Sequence, residues 1–164
     1  MNDQQKIITL PVTAVGRIDV GRLLREVEAL DAFFEQAAVR EPGSPVKMPR
    51  TTKLLDDILQ TNSINMLVDA ERSRLIHFLM EVYSKAPIIH MSFSADPSPL
   101  FLQKLVTWLR REIHPLVLLQ VGMQPNMGAG CIVRTTNKYF DFSLRNRFYE
   151  RRVLLAHRLQ GYDT

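Results

Sequence analysis

The chain has a single cysteine, Cys131, in 164 residues. One thiol cannot close an internal disulfide, so a cross-linked scaffold is excluded and a reducing compartment fits. Cys131 falls in a predicted strand and reads as a buried, chemically idle thiol. No apolar run reaches the roughly 18 residues that a membrane-crossing helix needs. The opening MNDQQKIITLPV lacks the basic flank and long apolar core of a secretory signal, so export is not expected. His77, His90, His114 and His157 include no pair at a spacing of three or four, and nothing prefigures a metal site. Internal repeats and low-complexity tracts are also missing.

What remains is the composition of a soluble chain with a real core: 46% hydrophobic and 23% charged residues, at a length suited to one domain or one domain with a helical appendage. A net charge of +4 permits an anionic partner without identifying one.

From Asp19 to Arg40, Val20, Leu23, Val27, Leu30, Phe34 and Ala37 recur at alternating spacings of three and four, the heptad spacing of one helix face. Leu24, Phe33 and Ala38 widen the stripe. Packing into its own domain and pairing with another chain are both open, and Val20, Leu23, Val27, Leu30 and Phe34 form the candidate partner seam. Glu41 to Pro49, with three prolines and a glycine, reads as a linker. Beyond it, Leu54, Leu55, Ile58 and Leu59 mark a short helix. Leu75, Ile76, Leu79, Val82 and Tyr83 mark a second, which Pro87 must end.

Ile89, Met91 and Phe93 alternate with polar residues as in a half-buried strand. Asp96 or Ser98, each followed by proline, can cap a helix running to about Ile113. Its buried stripe should be Leu102, Leu105, Val106 and Leu109, with Lys104, Arg110 and Arg111 in water. Leu116 to Val121 reads as a strand, and Cys131 to Thr135 with Lys138 to Phe142 as a hairpin turning at Thr136 and Asn137. Ser143 is placed to cap a final helix whose apolar face is Leu144, Phe148, Leu155 and Leu159. The expected fold is α+β: N-terminal helices, then a βαβββα small-sheet domain closed by a C-terminal helix. The expected segments are 1–48, 49–86 and 87–164.

Gly128-Ala129-Gly130 is too short for a phosphate loop, lacks the terminal Lys-Ser or Lys-Thr, and precedes a strand where a phosphate loop precedes a helix. Glycines there permit positive φ or a close approach of two backbone segments. Asp141 and Ser143 could face one side, but no nearby histidine completes a nucleophilic set; anchoring the hairpin and capping the helix is the better role. Arg145, Arg147, Arg151, Arg152 and Arg158 oppose only Glu150 in the last helix. They make a basic face that could meet nucleic acid, although Tyr139 and Phe140 lie in no ribonucleoprotein-type motif.

Taken in order, these elements resemble the delta subunit of F-type ATP synthases, the oligomycin-sensitivity-conferring protein of mitochondria, from about Thr51 to Leu159. SFSADPS at Ser92 to Ser98 looks like the family's Ser-Ala strand end. QPNMGAG at Gln124 to Gly130 looks like its D-P-S-L-I-G-G turn, and DFSLRNRF at Asp141 to Phe148 looks like its D-G-S-[VL]-R-x-[RK]-L. Gln124, Ala129 and Phe142 depart from that pattern. The family's N-terminal six-helix bundle, which grips the α subunits, has one long helix in its place before Thr51. That contact is shortened, supplied by another subunit, or absent.

The resemblance implies a non-catalytic stator component, without cofactor, metal or small-molecule substrate. It would join the b-type stalk subunit to the α/β catalytic head on the cytoplasmic side of the inner or plasma membrane, touching the membrane only through the complex. By family analogy the sheet domain would receive the end of the stalk helix. A stalk subunit of a vacuolar or archaeal-type rotary ATPase, and a basic nucleic-acid adaptor using the last helix, are the alternatives.

Overall fold

The computed structural model describes residues 7–39 and 49–161; the linker expected at Glu41 to Pro49 lies outside them except for Pro49. The elements are α1 Arg17–Val39, α2 Lys53–Asn62, α3 Asp69–Lys85, β1 Ile88–Phe93, α4 Pro99–Glu112, β2 Leu118–Met123, a 3-10 turn Pro125–Met127, β3 Cys131–Arg134, β4 Tyr139–Asp141, α5 Arg145–Glu150 and α6 Arg152–Leu159. Helices at both ends and a four-stranded sheet make this an α+β fold, in the element order read from the sequence. The described residues form two compact units. One holds those of Met1–Pro87 with Leu102–Leu118, the other those of Ile88–Phe101 with Leu119–Thr164. The segments expected separately at 1–48 and 49–86 thus share one unit, because α1 packs on α2 and α3.

In the helical unit, α1 begins where the Asp19 carboxylate accepts the Val15 and Gly16 N–H groups at 3.1 and 2.9 Å. This satisfies free donors and sets a negative charge at the positive end of the helix. Val20, Leu23, Val27 and Leu30 are buried within the chain. The seam offered as a partner surface is therefore occupied by the chain's own helices; burial of each large side chain is worth about 1.5–3 kcal/mol and leaves those residues nothing to present to another protein. Phe34 is half-buried beneath the Arg72 guanidinium, 5.0 Å from the ring centroid.

Thr52 caps α2 by accepting the Leu55 N–H at 3.3 Å, and its own N–H and hydroxyl donate to the Glu26 carboxylate of α1 at 2.6 and 2.7 Å. Leu55 and Ile58 are buried in α2, as are Leu75, Leu79 and Val82 in α3. Helix α3 ends at Lys85, with Ala86 already extended ahead of Pro87, as the proline requires.

Three polar side chains inside this unit were not foreseen as structural. Arg72 pairs with Asp31 at 2.6 Å and Asp69 at 3.0 Å, and donates to the Met66 carbonyl. Buried Asn62 accepts the Thr9 N–H at 2.8 Å and donates to the Thr9 and Ile58 carbonyls. Arg110, expected in water, instead donates to the carbonyls of Val117, Leu10, Pro11 and Ala14. Those carbonyls belong to irregular backbone outside any ladder, and the guanidinium supplies donors there, at Pro11 O in addition to the Ala14 N–H at 3.1 Å. Burial pushes Arg110 down to about 10, which leaves it charged at neutral pH. In the α4 stripe Val106 and Leu109 are buried and Leu102 and Leu105 half-buried, while Lys104 and Arg111 face water.

In the sheet unit the order is β2-β1-β3-β4. Ile89, Met91 and Phe93 are buried, matching the alternation read from the sequence. Strand β2 runs parallel to β1, since Leu118 N donates to Pro87 O and Gln124 N to Phe93 O with one constant offset. It starts two residues later than expected because the Leu116 N–H is taken by His114 Nδ1 at 3.2 Å. Strands β3 and β4 form the expected hairpin, with Ile132 opposite Asp141 and Arg134 opposite Tyr139; Thr135 and Lys138 close the two-residue turn. Strand β3 is antiparallel to β1. At the start of α4, Ser98 Oγ accepts the Phe101 N–H at 3.3 Å, so the cap falls on the serine.

Candidate functional site

Two of the motifs separated in sequence meet in space. Gly128 and Gly130 adopt φ of 76° and 96°, the left-handed region that side chains disfavour. At Gly130 the constraint is doubled, because a Cβ would overlap the Phe142 carbonyl oxygen and lie 3.0 Å from Ser143 Cα. Gly128 has open space around it. Two backbone bonds then tie the turn to the corner: Leu144 N donates to Ala129 O and Phe142 N to Cys131 O, each at 2.9 Å. Both roles read for the glycines, positive φ and close backbone approach, are present. Met127, 2% exposed, anchors the turn below.

At the corner, Asp141 Oδ1 accepts the Ser143 N–H at 2.8 Å. The Ser143 hydroxyl and N–H, aided by Arg145, hold the Asp141 carboxyl below the usual carboxylate range. This corrects the capping role given to Ser143. Leu144, whose side chain has no acceptor, occupies the cap position of α5, and the Ser143 N–H is held by Asp141 in an Asx-type turn. The anchoring role of Asp141 stands. Cys131 is half-buried where full burial was expected, and burial pushes its thiol up, away from the reactive thiolate.

The larger departure follows the corner. The single final helix is two, α5 and α6, meeting at Arg151, and its apolar face is open to water. Leu144 is 36% exposed, Phe148 58%, Leu155 49% and Leu159 78%. Arg145, Arg147, Arg151, Arg152 and Arg158 are exposed beside them, Arg152 lying over the Tyr149 ring at 4.4 Å. The sheet shows the same trend. Met91, Val133 and Phe140 share one row across β1, β3 and β4, and they pass from buried through half-buried to exposed. At the edge Phe140 stacks on Phe142, rings 6.0 Å apart and 12° from parallel.

The sequence signal for this open surface was the arginines flanking the apolar positions. The histidines lie on α3, β1, the turn before β2 and α6, and no group of three or more His, Cys, Asp or Glu among the described residues could hold a metal ion. No described helix is long and apolar enough to cross a membrane. No protein-family model matches the chain and no curated protein does, so the likeness to the ATP synthase delta subunit rests on the motifs and their order.

Proposed function

We propose that this chain is a peripheral-stalk subunit of a rotary F-type ATP synthase, which joins the b-type stalk subunit to the α/β catalytic head and resists its rotation. It carries out no bond chemistry and needs no cofactor. It sits on the cytoplasmic side of the membrane as part of the complex.

One observation carries the reading: the glycine turn and the Asp-Ser corner, two of the three segments that resemble the family, are bonded into one joint from which an uncovered apolar and basic helical segment departs. A load-bearing link needs surface that its own chain leaves uncovered, since stable protein interfaces bury on the order of 1,200–2,000 Å². A small-molecule enzyme needs a concave site with convergent acid, base and nucleophile. At the corner, Asp141 is committed to Ser143.

The test is purification of the synthase from native membranes. The chain should travel with the catalytic-head and stalk subunits in stoichiometric amount. An intact synthase isolated with no trace of it overturns the proposal.

A further inference from the structure

We infer that the helical unit carries a binding site for an uncharged, extended peptide, lined by Asp57, Asn62 and Arg110, and that residues 9–14 of the same chain are its resident ligand, a releasable strap. The segment 7–16 precedes α1 and belongs to no helix or strand. Side chains do for it what a ladder does elsewhere. Asn62 accepts the Thr9 N–H at 2.8 Å and donates to the Thr9 carbonyl at 2.9 Å, so one carboxamide reads both backbone groups of a residue, as an adjacent strand would. Asp57 Oδ2 accepts the Thr13 hydroxyl at 2.8 Å, and Arg110 donates to the Leu10, Pro11 and Ala14 carbonyls. Leu10, Pro11 and Ala14 are buried, while Ile7 and Val12 stand in water. Backbone bonds joined to a few apolar anchors are how extended peptides are recognised, the bonds giving affinity and the anchors specificity.

Two features mark the segment as a ligand more than as framework. First, the polar groups of the site are set without it. Asn62 Nδ2 also donates to Ile58 O of its own helix at 2.8 Å, and Arg110 Nε donates to Val117 O at 3.3 Å. A site held in place before its ligand arrives loses little freedom on binding. Second, α1 does not need the strap, because the Asp19 carboxylate takes the Val15 and Gly16 N–H groups. Residues 9–14 can lift away without uncapping that helix. The ligand class follows from the occupant. No residue from Ile7 to Gly16 is charged, and the anchors are an apolar residue, a proline directly after it and a small residue three further on. A free peptide of this kind competes with a tethered copy whose effective concentration is on the order of millimolar. The tether thereby keeps the site closed until the strap is released.

The experiment uses the full chain and a fluorescein-labelled synthetic peptide of Ile7–Gly16, followed by anisotropy; it needs no synthase and is indifferent to the stator reading. Leu10→Glu removes a strap anchor and should raise the chain's affinity for the peptide at least about tenfold over the unaltered chain. Adding Asn62→Ala to that variant should lower the affinity again by about tenfold, through the two lost backbone bonds. A scrambled peptide of the same composition should bind neither. Equal binding of the two peptides overturns the inference, as does equal peptide affinity of the unaltered and Leu10→Glu chains, or binding that Asn62→Ala leaves undiminished. Where a variant loses the helical circular dichroism spectrum, native-state hydrogen exchange on the unaltered chain decides. The Thr9 and Ala14 amides should exchange at least about tenfold faster than the Val27 and Leu30 amides of α1, with rates insensitive to low urea. Exchange of all four only through unfolding of the whole unit makes residues 9–14 framework and overturns the inference.

Discussion

The two units of the molecule handle apolar surface in opposite ways. In the helical unit, Leu23, Val27, Leu55, Ile58, Leu75 and Leu79 are fully buried, and Arg72, Asn62 and Arg110 find partners for the polar groups enclosed with them. In the sheet unit, burial fades from Met91 to Phe140 along one row, and the described residues from Tyr139 to Gly161 stay exposed apart from Ser143. Apolar residues of similar kind thus stabilise the fold in one region and stand in water in the other. The difference separates positions that hold the chain together from positions free to hold something else.

Substitution should expose that contrast most sharply in the core. Leu23→Ala should cost about 2–5 kcal/mol in urea unfolding, through lost burial and the cavity left behind. Leu155→Ala should stay within about 0.5 kcal/mol. A comparable loss at both positions would erase the distinction between the regions. Next in size, Arg72→Leu should cost about 2–4 kcal/mol, because it strands Asp31 beside the core and leaves the Met66 carbonyl unpaired.

The glycine turn gives a finer contrast inside the sheet unit. Gly130→Ala should cost about 2–3 kcal/mol, from positive φ together with collision at Phe142, whereas Gly128→Ala should cost about 1–2 kcal/mol from φ alone. Equal losses would mean that the close approach between turn and corner contributes nothing.

The smallest effect is at Asp141. Its carboxyl is depressed in the folded state, so its contribution to stability is present above the ordinary aspartate range and is lost as pH falls through the lowered value. Carbon-detected NMR titration should find Asp141 titrating below the other exposed aspartates, and Ser143→Ala should move it back up. No movement would remove the Ser143 hydroxyl as a cause.

How much of this was legible in the sequence follows from which signals are local. The α1 seam, the β1 alternation, the two-residue hairpin and the stop at Pro87 depend on neighbours within a few residues, and each is where periodicity or a turn residue put it. Arg110 was misplaced because helix position says only which face it lies on. Its partners at Leu10, Pro11 and Ala14 come from the far end of the chain. The Ser143 cap failed because the helix starts one residue later, with Leu144 at the cap position, and the Asp141 carboxylate two residues back takes the Ser143 N–H. For the glycine turn, small residues signalled a tight turn, but the Phe142 backbone that makes Gly130 irreplaceable by a larger residue was out of sight. Leu144, Phe148, Leu155 and Leu159 taught the most: their spacing showed that they share a face, and spacing carries no information on what covers it.

The most direct measurement pairs stability with assembly in one variant. Leu155→Ser with Leu159→Ser is introduced into the native chain, and both the melting temperature of the purified protein and its recovery with the ATP synthase are recorded. The account predicts an unchanged melting temperature and loss of the variant from the synthase. A lowered melting temperature with recovery intact would contradict it, placing those leucines in the fold and the interface elsewhere.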